Sequence, residues 1–166
     1  MRLGPPPGGT TAFDHCPEPW AAFNRYYGTL WSEGIVDQPT KEVARLRNAR
    51  VTGCGICKNL RFAGARAAGL DETHVAQIDD AYATSALPAR WKLAIRYTDA
   101  LILDPNAIGP QLRRDLLAEF SPAEIVELTL TITTAIAFSK AAVMFGAPPD
   151  MPVVEVPTPS AGRTAR

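Results

Sequence analysis

From Ser121 to about Phe145 the chain reads as one helix that is apolar on nearly every side. Such a helix must be covered all round, at a domain centre or a subunit interface. Ser121-Pro122-Ala123-Glu124 opens it with a capping box and a proline at the first helical position. The run Ile125 to Phe145 is long enough to suggest a membrane span, but Glu127, Lys140 and several threonines argue against one. No sustained period-two pattern accompanies it, so its partners are expected to be helices, with few or no strands. No short internal repeat is found.

Helix signals fill the middle of the chain. Glu18 to Gly34 places Trp20, Phe23, Tyr27, Leu30 and Trp31 at helical spacing, and Gly34 ends that segment. Pro39 stands at the start of a second helix through Val43, Leu46 and Val51. A third is expected from about Cys54 to Gly69, and Asp71 can cap a fourth containing Val75 and Ile78. Pro88 opens a fifth, with Trp91, Ile95, Thr98 and Ile102 on one face, and Asp104-Pro105 breaks it. Pro110 starts a short sixth with Leu112 and Leu116. The expectation is an all-α domain of about six to seven helices over residues 13–147. An extended N-terminal arm (1–12) and a Pro-rich tail (148–166) flank it, each too poor in apolar groups to repay the entropy of ordering.

At 166 residues the chain suits one domain with a sizeable core. Lys+Arg and Asp+Glu are both 17. This balance gives no attraction to nucleic acid or to an anionic membrane, and does little to keep subunits apart. Met1 to Thr10 has no apolar run of a secretory signal, so a cytoplasmic location is the default expectation. Three cysteines, an odd number, do not suggest a secreted disulfide framework.

Chemistry concentrates in Val51-Thr-Gly-Cys-Gly-Ile-Cys-Lys58. A helix starting near Cys54 presents free N–H groups that favour an anion, and so lower a thiol's pKa. Lys58 follows Cys54 by four residues and Arg61 follows Cys57 by four, each on a shared helix face and able to stabilise a thiolate. The spacing also suits a reversible disulfide. A zinc site is disfavoured because no second Cys-x-x-Cys exists and His15, Cys16 and His74 show no ligand spacing, so no metal is expected. Two inert buried cysteines are the plain alternative. Glu42 lies on a helix that also carries Lys41, Arg45, Arg47 and Arg50. Spacing leaves two readings of it open: a solvated carboxylate paired with arginine, or an inward base for a thiol or water.

Glu42, then Gly53-Cys54-x-x-Cys57, then Ala67-Ala-Gly-Leu70 resembles the alkylhydroperoxidase D and carboxymuconolactone decarboxylase family. Tyr97-Thr-Asp-Ala-Leu, Phe120-Ser-Pro-Ala-Glu-Ile-Val-Glu-Leu-Thr-Leu and the aromatic first helix are similar too, so the resemblance covers roughly residues 15–147. It implies an all-helical fold that assembles into homo-oligomers. It also implies a site of Cys54, Cys57 and Glu42, with Arg61 where the family has a histidine. A guanidinium stays charged and cannot relay a proton as imidazole does.

The resemblance favours a thiol oxidoreductase that needs no cofactor. It would reduce a hydroperoxide through a Cys54/Cys57 dithiol–disulfide cycle, with an external dithiol as reductant. Helix position favours Cys54 as the attacking thiol, whereas Arg61 and the more distal position favour Cys57. Tyr27, Trp31 and Phe62, with Trp20, Tyr26 and Trp91, are candidates for an apolar substrate wall or for ordinary packing. The alternatives are a non-redox, decarboxylase-like enzyme with Glu42 as base and Arg61 gripping a carboxylate, or an oligomeric binding protein with a vestigial site.

Overall fold

Asp37 starts the helix around which the rest is arranged. Its carboxylate accepts a hydrogen bond from the Thr40 N–H at 2.8 Å, and Pro39 sits in the first turn. In the computed structural model, which describes residues 2–162, α1 spans Pro17–Ser32 and α2 spans Gln38–Val51. Every residue of α2 from Pro39 to Ala49 is buried. Its apolar side packs on α6 (Ala89–Leu103) and on α8 (Pro122–Phe145). Val43, Leu46, Ile95, Leu128 and Ile132 form the centre of that contact, all fully buried. Burial of each such side chain contributes about 1.5–3 kcal/mol. Helix α5 (Glu72–Ala76) is capped by Asp71, and α7 is Pro110–Glu119. The capping box at Ser121 is formed, and α8 ends at Gly146, whose φ of +97° is open to glycine at little cost.

The fold is all-α, and it departs from expectation at the third helix and in the tail, residues 148–162 of which pack on the helical body. The helix expected over 54–69 is broken into α3 (Gly55–Asn59), a strand β1 (Leu60–Phe62) and α4 (Ala63–Ala67), which brings the α-helices among the described residues to eight. Two causes are local to the break. Arg45 Nη1 donates to the Cys57 carbonyl at 2.6 Å and Nη2 to the Leu60 carbonyl at 2.7 Å, taking up acceptors a continuous helix would use. The Phe62 N–H donates to Glu42 Oε1 at 3.1 Å. The extended residues then pair in parallel with β2 (Val154–Val156), in the register Leu60–Val154 and Phe62–Val156.

The C-terminal residues beyond α8 lie along the helical body. The backbone of Pro148 and Pro149 rests against Gly55, and that of Ser160 and Ala161 against Gly28. A β-carbon at either glycine would collide with main chain. The Gly64 N–H donates to Thr158 Oγ1 at 2.8 Å. At the other end of the chain the Leu3 N–H donates to the Phe145 carbonyl at 3.2 Å. Met1 and residues 163–166 of the expected arm and tail lie outside the described residues.

The charges of α2 from Lys41 to Arg47 are buried because each finds a partner, whereas Arg50 near its end is exposed. Lys41 Nζ, fully buried, donates to the Leu30 carbonyl at 2.8 Å and to Glu127 Oε1 at 3.1 Å. Glu127 Oε2 accepts the Ile35 N–H at 2.6 Å and the Val36 N–H at 3.2 Å. The lone acid in the apolar centre of α8 therefore closes the α1–α2 turn. Arg47 pairs with Asp99 at 2.6 Å. Buried ions are tolerated when paired and hydrogen-bonded in this way.

Candidate active site

Gly53, at φ +68°, turns the chain sharply out of α2 and delivers Cys54 to the cap position before α3. Cys54 caps that helix, its sulfur accepting the Cys57 N–H at 3.3 Å. The two sulfurs lie 2.6 Å apart as unbonded thiols, both buried. A hydrogen bond from Cys57, the N–H groups of Cys57 and Ile56 and the charge of Arg45 outweigh burial and lower the Cys54 thiol to about 6. Cys57 moves the other way: its hydrogen bond to Cys54 and its burial hold the proton on. Of the two thiols Cys54 is therefore the more acidic, and Cys57 the one that holds its proton.

Arg45 is the cation of the site. Its Nε and Nη2 grip Glu42 Oε2 and Oε1 at 2.7 and 2.6 Å, a bidentate pair in which both residues are buried. Burial alone would pull the guanidinium's pKa down, but the Glu42 charge and hydrogen bonds outweigh it and hold Arg45 above its usual range. The guanidinium stacks 4.5 Å over the Phe62 ring. Glu42 is thus an inward carboxylate with both oxygens occupied by Arg45, one of which also accepts the Phe62 N–H.

Arg61 stands apart. Its guanidinium points to Glu72, with Nε to Oε1 at 2.9 Å and Nη2 to Oε2 at 3.0 Å, and Nη1 donates to the Lys58 and Leu60 carbonyls. Lys58 pairs with Asp150 at 3.4 Å. The helix break at Leu60 accounts for this: beyond it the four-residue spacing from Cys57 to Arg61 no longer describes one helix face. Arg45, which the sequence presents as one of several arginines on α2, takes the position beside the thiols. Its place three residues after Glu42 is the signal that singles it out.

A cavity of about 780 Å³ opens beside Cys57. Cys57, Arg45 and Ser139 form its polar end. Its walls are Trp20, Phe23 and Tyr27 of α1, Phe62, and Phe138 of α8, and residues 156–160 lie along one side. Trp20, Phe23 and Phe138 stack with interplanar angles of 9–16°. Of the aromatic residues expected to line a pocket, Trp20, Tyr27 and Phe62 do so. Trp31 lies fully buried behind Phe62, edge to face at 4.5 Å. Tyr26 is exposed, and Trp91 packs on His74. Sequence reasoning did not select Arg45, Ser139 or Phe138.

Residues 17–100, from α1 into α6 and including Glu42, Arg45, Cys54 and Cys57, match the model of the carboxymuconolactone decarboxylase family. Among curated proteins, two uncharacterized proteins of Mycobacterium tuberculosis, from strains CDC 1551 / Oshkosh and ATCC 25618 / H37Rv, are each 36% identical over 148 residues. The aligned region is 89% of this chain and 51% of each relative. The chain thus spans about half the length of the curated relatives it matches.

Proposed function

Because the chain belongs to the carboxymuconolactone decarboxylase family, whose site it furnishes with two cysteines, we propose that it is a thiol-dependent oxidoreductase that reduces a hydroperoxide. The observation that carries this reading is the pair of adjacent buried thiols, 2.6 Å apart, with Cys57 at the polar end of an apolar cavity and Cys54 the more acidic of the two. Cys54 takes the Cys57 proton across the short contact between them. The Cys57 thiolate attacks the distal peroxide oxygen, the O–O bond breaks, and the departing alkoxide receives the proton now on Cys54. Cys57 is left as a sulfenic acid. The Cys54 thiolate then attacks that sulfur, forming the disulfide and expelling hydroxide, and an external dithiol restores both thiols by exchange. Arg45 holds the site's charge balance and fixes the main chain at Cys57 and Leu60, and Glu42 orients Arg45.

Peroxide-treated protein is expected to lose two hydrogens on the peptide carrying Cys54 and Cys57, as read by mass spectrometry. Two intact thiols there, under oxidation that modifies the exposed Cys16, would overturn the reading. A decarboxylase-like role for Glu42 as base finds less support, since neither of its oxygens is free.

The same proposal includes a homo-oligomer with α8 at the interface. Val126, Leu130, Val143 and Met144 of that helix are 41–60% exposed, more apolar surface than an isolated core helix presents. Light scattering across micromolar concentrations is expected to give a multiple of the chain mass of 17.9 kDa. A monomer throughout that range would remove this part.

A further inference from the structure

The cavity's polar end contains one group that the proposed chemistry has not used. Ser139 of α8 is 2% exposed and lines the cavity together with Cys57. Asn48 of α2, fully buried, donates from Nδ2 to Ser139 Oγ at 3.0 Å. That bond fills an acceptor position of the hydroxyl and leaves its hydrogen to be directed elsewhere. Thr129, Thr131 and Thr133, on the same helix, each give their hydroxyl hydrogen to the carbonyl one turn back. Among the described residues Ser139 makes no such bond. Asn48 Oδ1, also buried, accepts none either. Asn48 Oδ1 belongs to the amide that already donates to this hydroxyl, and the Cys57 sulfur is the acceptor on the cavity side.

We propose that Ser139, locked in orientation by Asn48, donates its hydroxyl hydrogen to the Cys57 sulfur and is the positioning residue that stabilises the thiolate there. This deepens the thiol–disulfide reading and rests on it. The hydroxyl keeps its proton throughout; it offers a fixed dipole to the sulfur as negative charge arrives. The same bond eases the upward pull on the Cys57 thiol. The groups facing that sulfur are Arg45 from α2, Cys54 at the cap of α3 and Tyr27 from α1, with Glu42 held behind Arg45, while Lys140 next to Ser139 is exposed. Ser139 is then the contribution of α8, made from outside residues 17–100, in a chain whose Arg61 is engaged with Glu72.

The test uses the full chain with Cys54→Ser, so that the titration of Cys57 is read alone. Iodoacetamide alkylation of Cys57 is followed against pH by peptide mass spectrometry. Adding Ser139→Ala should raise the midpoint by about one pH unit, or about tenfold less thiolate at a fixed pH below it. Ser139→Thr, which keeps the hydroxyl, should bring most of that back. A midpoint unmoved by Ser139→Ala, or moved equally by both substitutions, would overturn the proposal. The peroxide mass shift of the native protein judges the redox reading separately. A native chain that forms no disulfide, yet shows the hydroxyl-dependent midpoint, would overturn that reading and leave the role of Ser139 standing.

Discussion

Replacing Arg45 with methionine should cost the fold about 3–5 kcal/mol, the scale observed when one partner of a buried ion pair is removed. Three groups lose their partner at once. Glu42, 1% exposed, keeps its carboxylate with only the Phe62 N–H as donor. The Cys57 and Leu60 carbonyls lose donors at 2.6 and 2.7 Å. A buried acceptor left unsatisfied costs about 1–3 kcal/mol. The flat guanidinium over Phe62 is replaced by a flexible chain of similar reach, so the packing loss is the smaller part. Urea unfolding at neutral pH measures the total. Arg45→Met with Glu42→Leu should recover more than half of it, because the stranded charge is gone. A single-variant loss below about 1 kcal/mol would mean that water reaches Glu42 readily and that the pair is not structural.

Cys57→Ser should abolish turnover with a hydroperoxide, a fall on the order of 10³-fold or more, as expected when an activated nucleophile is deleted. Cys54→Ser should fall less and change the pH dependence instead. In the native pair the first proton leaves with the Cys54 thiol lowered to about 6. Below that pH both thiols are protonated and turnover is slow; above it one thiolate is present and turnover levels off. Without Cys54, the site's thiolate must come from Cys57, which loses the upward pull of its hydrogen bond to Cys54 but is still held protonated by burial. The acid limb of the rate profile should therefore move well to the alkaline side. Steady-state rates across pH for the native protein and both variants decide this. A Cys54→Ser protein that keeps the native acid limb would show that Cys54 is not the proton acceptor.

The parts of this arrangement legible in the sequence are those set by short-range chemistry. Asp71 and Ser121 cap the helices they precede, and the prolines at 39, 110 and 122 stand in first turns. The all-round apolar stretch after Ser121 is the core helix, and Cys54 stands at a helix start. What was not legible depends on partners far away in sequence. The sequence of α2 leaves open whether its charges are solvated or inward, and they are buried because Lys41 meets Glu127 and Arg47 meets Asp99. Nothing near Leu60 announces a strand, since its pairing partner is Val154. That break in turn separates Arg61 from Cys57. Ser139 sits in a helix with no local pattern to mark it, and only the packing of α8 on α2 brings it to Asn48 and to the cavity.

The side of the cavity formed by residues 156–160 has a bearing on how the chain matures. Gly64 and Thr158, which meet there, are 94 positions apart. Closing so long a loop is entropically unfavourable until the helices it spans are already in place, so contacts of this kind form late. During synthesis α3 and its two cysteines emerge well before the segment that shelters them. A nascent or partly unfolded chain therefore exposes a nucleophilic thiol without its cover, on the ladder that leads past the sulfenic acid to irreversible oxidation. For this protein, the order in which contacts form sets how long the thiols stay vulnerable.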